Sequence, residues 1–138
     1  MPRRPSPRPT DVELRILEVL WQHGPSTVRQ VHDALAADRD TGYSTTLKMM
    51  QVMRDKGLLT RDDSVRPQLY RAAQSCEETQ LLMLDDLIDK AFRGSAKRLV
   101  MRILSADRVR PDELAEMQGL VDEARRAERA KGGKRDDR

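Results

Sequence analysis

Four polar residues fall close together on one side of the segment YSTTLKMMQVMRDKGLL, and their side chains could bind nucleic acid. At about 100° per residue, Ser44, Lys48 and Gln51 share one face of a helix, with Thr45 at its margin. Hydroxyl, amide and ammonium groups hydrogen-bond phosphate oxygens and the edges of bases. The spacing therefore favours a helix that presents these groups to DNA, although an ordinary solvated helix face has the same pattern.

The opposite face of this segment is suited to packing against a core. Its members are Thr46, Met49, Met50 and Met53. We predict a helix from about Ser44 to Lys56, which ends at Gly57 because glycine adopts a left-handed C-cap without strain. Such a helix is anchored along one side and leaves its polar side free.

Two further helices are predicted before it. Thr10-Asp11-Val12-Glu13 fits a capping box, in which the Thr10 and Glu13 side chains satisfy free amides reciprocally, so a first helix begins there. His23-Gly24-Pro25 ends that helix, and Ser26 is predicted to cap the second. Apolar residues in the second helix keep the i, i+3, i+4, i+7 spacing of an amphipathic helix.

A short hairpin is predicted after the third helix. Residues 58–61 and 68–72 have the pattern of two strands, and residues 62–67 that of a turn. Three helices followed by a two-stranded hairpin is the pattern of a winged helix-turn-helix. The expected fold class is therefore mainly α with a small β-hairpin, in which the hairpin forms the wing.

Basic residues of the hairpin are further candidates for DNA contact. Arg61, Arg66 and Arg71 are placed where a wing reaches phosphates or an adjacent minor groove. A surface hairpin protected by charge is the alternative explanation. Asp62 and Asp63 count against DNA contact, since carboxylates directed at phosphate would repel it.

From Cys76 onward the pattern is helical only. Three short amphipathic helices bury little apolar surface alone, so packing against a second copy is expected. The residues predicted to form this dimer interface are Leu81, Leu84, Ile88, Phe92, Leu99, Ile103, Leu114 and Val121. The predicted domains are a disordered basic arm (1–9), a winged-helix domain (10–75), a helical dimerisation domain (76–124) and a flexible charged tail (125–138).

Composition narrows the possible functions. The net charge of +3 lies wholly in the first nine residues, because the rest of the chain carries equal numbers of acids and bases. His23, His32 and Cys76 lack the spacing of metal ligands, so we expect no metal site. The sequence also has no phosphate-binding loop and no nucleophile motif, so we expect no cofactor and no enzymatic activity. No apolar run is long enough to span a membrane. The single cysteine, Cys76, cannot form an internal disulfide, so a reducing cytoplasm is expected.

The sequence resembles the BlaI/MecI (penicillinase-repressor) family of bacterial transcriptional repressors. The resemblance lies in PTDVELRILEVLWQHGPSTVRQVHDAL, YSTTLKMMQVMRDKGLLTRD, RPQLYRAA and LIDKAFRGSAKRLVMRIL, followed by DELAEMQGLVDEA. It implies a homodimer that binds a pseudo-palindromic DNA operator. It also implies that Tyr43, Ser44 and Thr45 open the recognition helix, whereas Val52 stands where members commonly carry arginine.

The resemblance also implies control by proteolysis. In related repressors of β-lactam resistance, a membrane-bound sensor peptidase triggers cleavage at an Asn-Phe bond, and the matching positions are Arg102 and Ile103. The different residues leave both the cleavage and the β-lactam signal open. Two rival functions also remain open: a winged helix that binds a protein partner, and a regulator that responds to a small molecule.

Overall fold

The computed structural model describes residues 8–36 and 41–136, so most of the predicted arm lies outside the described residues. Six helices and one two-stranded sheet lie within these residues. The helices are α1 (Asp11–His23), α2 (Val28–Leu35), α3 (Tyr43–Lys56), α4 (Cys76–Ala91), α5 (Ala96–Ser105) and α6 (Pro111–Asp136), and the strands are β1 (Leu59–Asp62) and β2 (Leu69–Ala72).

One core joins α1, α2, α3 and the hairpin. Its apolar residues are Ile16, Leu17, Leu20, Val28, Val31, Leu35, Met50, Met53, Leu58, Leu59 and Tyr70. Each helix contributes one apolar stripe, as amphipathic helices do when they cover a common core. This order of three helices and a hairpin is a winged helix-turn-helix, which confirms the predicted fold class.

The hairpin is antiparallel and is attached to the helices by its second strand. Arg61 pairs with Tyr70 in the register of β1 and β2. Tyr70 is 1% exposed and also forms a β-bridge with Ser26, with backbone hydrogen bonds of 2.8 and 3.0 Å. The Trp21 Nε1–H donates to the Gln74 carbonyl at 3.0 Å. The wing is thus fixed to α1 and to the start of α2.

Helix caps follow the sequence closely, with one correction. The Thr10–Glu13 capping box is confirmed, with distances of 3.0 and 3.3 Å. The prediction that Ser26 caps α2 is wrong, because Thr27 is the N-cap and forms a capping box with Gln30. Ser26 is instead buried, and its hydroxyl donates to the Gly24 carbonyl at 2.9 Å.

Helix α6 is longer than predicted. We expected its apolar face to end near residue 124 and a flexible tail to follow, but the helix continues to Asp136. The segment ARRAERAK consists of good helix formers, and its cations lie near the negative end of the helix dipole. Both effects favour further helical turns.

The chain divides into two compact units, Met1–Leu87 and Ile88–Arg138. The division between these units lies inside α4. Thr79, in the first turns of α4, is 3% exposed, and Arg8 forms a 3.4 Å ion pair with Asp86, so this part of α4 belongs to the first unit. Among the helices of residues 8–36 and 41–136, none combines the length and hydrophobicity needed to cross a bilayer.

Candidate nucleic-acid interface

The polar face of α3 is exposed, as its spacing predicted. Ser44, Thr45, Lys48 and Gln51 are all exposed, and Tyr43 at the start of the helix is 38% exposed. The structure therefore brings the five predicted recognition-helix residues onto one accessible helix. Their hydroxyl, amide and ammonium groups are available to an external ligand.

A groove of about 420 Å³ runs beside this face. Its lining residues are Glu13, Ser44, Thr45, Lys48, Met49 and Val52. Val52 is 40% exposed, so an apolar side chain lies beside the polar ones. Apolar contacts of this kind can meet the methyl group of thymine, whereas an arginine at the same place would read guanine.

The opposite side of α3 is firmly held in the core. Met50 and Met53 are fully buried, Thr46 is 1% exposed and Met49 is half-buried. Gly57 ends the helix with φ 87°, as predicted, because glycine adopts this left-handed conformation without a steric penalty. The buried side fixes the rotation of α3 about its axis and so determines which residues face outward.

An aromatic and cationic cluster lies where α2 meets the first turn of α3. The Arg29 guanidinium carbon is 4.2 Å from the centre of the Tyr43 ring. The ring of Tyr43 meets the ring of His32 edge-on, with centroids 5.7 Å apart and an interplanar angle of 83°. His32 Nδ1 is 3.0 Å from the Thr46 hydroxyl.

The contact between Arg29 and Tyr43 was not predicted from the sequence. Arg29 lies on α2, and the loop between α2 and α3 decides whether it meets Tyr43, so no local spacing relates the two. The available signal was indirect: an exposed arginine near the start of the helix that precedes a recognition helix.

An ion pair holds the other end of α3. Lys56 Nζ donates to Glu13 Oε2 at 2.8 Å, and Glu13 Oε1 accepts from the Thr10 backbone amide at 3.0 Å. Burial raises the pKa of Glu13, but the hydrogen bond from Lys56, that from Thr10 and the charge of Lys56 together outweigh it, so the pKa is lowered. The carboxylate thus joins the start of α1 to the end of α3.

The three arginines of the wing differ in how they are engaged. Arg61 donates to Asp63, and this hydrogen bond raises the pKa of Arg61 and lowers that of Asp63. Arg71 also lowers the pKa of Asp62, behind the larger effect of hydrogen bonds from Ser64. The acids that seemed to count against DNA contact therefore face arginines of the wing itself.

Arg66 is exposed near the tip of the wing, before a cis peptide bond to Pro67. Among the residues that the structure describes, no carboxylate lies within ion-pair distance of Arg66. Its charge helps to lower the pKa of Asp63, behind the hydrogen bond and charge of Arg61 and the charge of Arg54. Among the described residues, Arg61 is the wing arginine held by an ion pair, whereas Arg66 and Arg71 act on neighbouring acids through charge alone.

The residues predicted to form a dimer interface are largely exposed. In α4, Leu81 is 59% and Leu84 38% exposed, whereas Ile88 is half-buried. In the second unit, Phe92, Leu99 and Ile103 are half-buried, and Leu114 and Val121 are 46% and 48% exposed. The remaining large exposed apolar residues of these helices are Leu87, Val100, Met101, Leu104 and Leu120.

The predicted cleavage position lies inside α5. Arg102 is exposed and Ile103 is half-buried, and both have helical backbone conformation. Proteases bind extended chains, so this bond is protected while the helix is intact. Within residues 8–36 and 41–136, no group of three or more His, Cys, Asp or Glu residues is arranged to hold a metal ion.

Comparison with known proteins shows the family to which the chain belongs. Residues 9–123 match the family described as penicillinase repressor. Two curated relatives, both named transcriptional regulator BlaI, come from Mycobacterium tuberculosis strains CDC 1551 / Oshkosh and ATCC 25618 / H37Rv. Each is 32% identical over 105 residues, which cover 75% of this chain and 75% of the relative.

Among solved structures, the chain is similar to a MarR family protein from Bacillus stearothermophilus. The likeness covers 86% of this chain and 74% of that one, with 16% sequence identity and a TM-score of 0.47. That score is too low to establish a shared fold.

Proposed function

The chain belongs to the penicillinase repressor family and is a transcriptional regulator rather than an enzyme, and we propose that it represses transcription as a homodimer on a pseudo-palindromic DNA operator. The observation that carries the proposal is the exposed polar face of α3 opposite a fully buried one. A DNA-bound repressor acts where the chromosome is, so the proposed location is the cytoplasm of a bacterium.

In this proposal, α3 enters the major groove. Lys48 and Gln51 contact bases or phosphates from its middle, and Ser44 and Thr45 contact them from its first turn. The support is their common exposure on a helix whose other face is fixed in the core. A rigid helix suits this task, because the positions of its donors are set before DNA arrives.

The wing supplies a phosphate or minor-groove contact, chiefly through Arg66. Arg61 and Arg71 have partners or neighbouring acids within the hairpin, so a phosphate must compete with Asp63 or Asp62 for them. Arg66 forms no ion pair with a described residue and is exposed near the tip of the wing, although its charge also acts on Asp63. We therefore assign the main wing contact to Arg66 and a smaller contribution to the other two arginines.

Dimerisation through α4, α5 and α6 is the second part of the proposal. These helices leave leucine and valine side chains between 38% and 63% exposed, which a second copy can cover. A two-fold symmetric dimer then requires a two-fold symmetric operator, with half-sites about one helical turn apart or a multiple of that distance. The paired recognition helices would bind with avidity rather than singly.

Loss of the dimer offers a route to derepression. The bond between Arg102 and Ile103 lies within α5, so a sensor-controlled protease would first need that helix to open locally. Cleavage there would divide the proposed dimer interface and leave the recognition helix intact. The change from the family's Asn-Phe to Arg-Ile means that a protease acting here would need a different specificity.

Selection of bound duplexes from a random DNA pool tests the proposal directly. The full-length chain should enrich a sequence with two-fold symmetry, and its affinity should fall steeply with salt as counterions are released. Lys48→Ala should weaken binding to the selected duplex, either uniformly or at one base position. A protein-interaction module or a small-molecule regulator without DNA affinity would enrich no sequence.

Binding to the selected duplex also tests separately whether α3 is the recognition helix. If Lys48→Ala and Gln51→Ala both bind the selected duplex as tightly as the unmodified chain, another surface reads the DNA. Arg108→Ala is a suitable control, because Arg108 is an exposed cation outside the winged helix.

A further inference from the structure

We propose that Arg29 is an additional DNA-contacting residue, and that Tyr43 is the positioning residue that holds it ready for a phosphate. This inference rests on the proposed function, since it deepens the description of the same DNA-binding surface. It also changes the role expected of Tyr43 from the sequence, where Tyr43 was itself a predicted DNA contact.

The geometry leaves the hydrogen-bonding groups of Arg29 available. Its guanidinium carbon lies 4.2 Å from the centre of the Tyr43 ring, so the ring attracts the cation through its π face. A guanidinium has five N–H donors, and contact with a ring does not use them as a carboxylate would. Among the described residues, no carboxylate forms an ion pair with Arg29.

The ring that holds Arg29 is itself held from the core. Tyr43 meets His32 edge-on at 5.7 Å, and His32 Nδ1 lies 3.0 Å from the hydroxyl of Thr46. Thr46 is 1% exposed. A continuous series of contacts therefore runs from a buried hydroxyl to an exposed cation, and it joins α2 to the first turn of α3.

Phosphate is the ligand that this arrangement fits best. In helix-turn-helix proteins the helix before the recognition helix crosses the DNA backbone, and Arg29 is the second residue of that helix here. Arginine binds phosphate through paired N–H donors and is weakly hydrated. A long side chain also loses rotamer entropy when it binds, and contact with Tyr43 reduces that loss in advance.

The test is a salt titration of full-length variants on the duplex selected from the random pool. Arg29→Ala should lower affinity and make the log–log salt dependence shallower by about 1, the value for one phosphate contact. Tyr43→Leu removes the ring and should reproduce part of that loss. Tyr43→Phe keeps the ring and should restore both affinity and slope.

Two controls separate positioning from folding. Arg108→Ala removes an exposed arginine outside the winged helix and should leave the slope unchanged. Thermal unfolding of each variant identifies any change that comes from loss of fold rather than from loss of a contact. In the double variant, the effects of Arg29→Ala and Tyr43→Leu should be less than additive, because both act on one contact.

The outcomes distinguish this proposal from the one it rests on. A chain that enriches no duplex overturns the proposed function. A chain that enriches a duplex, but whose Arg29→Ala variant keeps its affinity and salt slope, overturns only the role of Arg29. Three results would overturn the positioning role of Tyr43. The salt dependence of binding could stay unchanged in Tyr43→Leu, or become as shallow in Tyr43→Phe as in Arg29→Ala. The effects of Arg29→Ala and Tyr43→Leu could also be strictly additive in the double variant.

Discussion

The winged helix buries its apolar side chains, whereas the helices that follow it leave many of theirs exposed. Among the described residues between Ile16 and Tyr70, eleven apolar side chains are buried and form one core. Among the side chains of α4, α5 and α6 whose burial the structure describes, only that of Thr79 is buried, and large apolar residues such as Leu120 are up to 63% exposed. The first region buries its hydrophobic surface within one chain, whereas the second leaves much of its apolar surface exposed.

This difference separates the two tasks of the proposed repressor. A recognition surface must keep its shape before DNA arrives, and a complete core provides that rigidity. A surface that sets oligomeric state must instead stay exposed until another copy covers it. Substitutions in the two regions should therefore change different quantities, stability in one and association in the other.

The largest effect is expected from breaking the apolar face of α5. Leu99→Asp combined with Ile103→Asp should give a monomer by sedimentation. Operator affinity should fall by about 10²–10⁴-fold, because the second recognition helix is no longer tethered. Affinity for a duplex with a single half-site should change little.

A matched control lies on the other face of the same helix. Lys97→Ala combined with Arg98→Ala changes two exposed residues away from the apolar stripe and should leave the dimer intact. If the aspartate variant stays dimeric, or if its monomer binds the full operator as tightly as the unmodified chain, the proposed division of tasks is wrong.

The next effect contrasts a buried side chain with an exposed one. Met53→Ala removes a fully buried side chain and should lower the free energy of unfolding by about 2–5 kcal/mol, through lost transfer energy and a cavity. Because Leu120 is 63% exposed, Leu120→Ala should cost much less in chemical denaturation of dilute, monomeric protein. If Met53→Ala and Leu120→Ala lower the free energy of unfolding of dilute, monomeric protein equally, the contrast between the two regions is wrong.

Much of the winged helix could be predicted, because its rules are local. The 3.6-residue period assigned Met50 and Met53 to the core, and the capping box and Gly57 gave the limits of helices. The spacing of Thr27 and Gln30 in the sequence is that of a capping box, whereas Arg29 stands three residues after Ser26, so the choice of Thr27 as the cap is also a local rule. The bridge between Ser26 and Tyr70 agrees with it.

The parts that could not be predicted depend on tertiary contacts or on weak preferences. Arg29 and Tyr43 lie on different helices, fourteen residues apart in the sequence, so no helical spacing relates them. The pairing of Arg61 with Asp63 depends on how the wing twists, so three arginines looked alike in the sequence. Helix α6 passes its expected end because charged helix formers continue it without an apolar stripe.

A smaller effect concerns the ion pair that closes the winged helix. Since the pKa of Glu13 is lowered in the folded protein, its contribution to stability is present above the ordinary glutamate pKa and is lost as pH falls through the folded value. Glu13→Gln should cost roughly 1.5–3 kcal/mol at neutral pH, as for a hydrogen bond to a charged group. It should also flatten the acid limb of the stability curve.

Urea denaturation between neutral and acid pH measures both changes. Glu18→Gln provides the comparison, because Glu18 is exposed on the same helix. An acid limb that is equally steep in Glu13→Gln and the unmodified protein would show that the pair with Lys56 does not stabilise the fold.

The smallest effect is expected in the wing. Arg66→Ala should make the log–log salt dependence of operator binding shallower by about 1, because one phosphate contact is lost. Arg61→Ala should change it less, since Asp63 already engages that guanidinium. A larger change in Arg61→Ala than in Arg66→Ala would mean that DNA displaces the internal pair.

The exposed leucines and valines of α4, α5 and α6 also have a thermal consequence. Covering apolar surface carries a large negative heat-capacity change, and the gain from it weakens on cooling. Contacts between charged donors and phosphate depend mainly on ionic strength instead. We therefore expect cold to favour separate subunits and salt to favour release from DNA, so that two physical variables act on two different steps of repression.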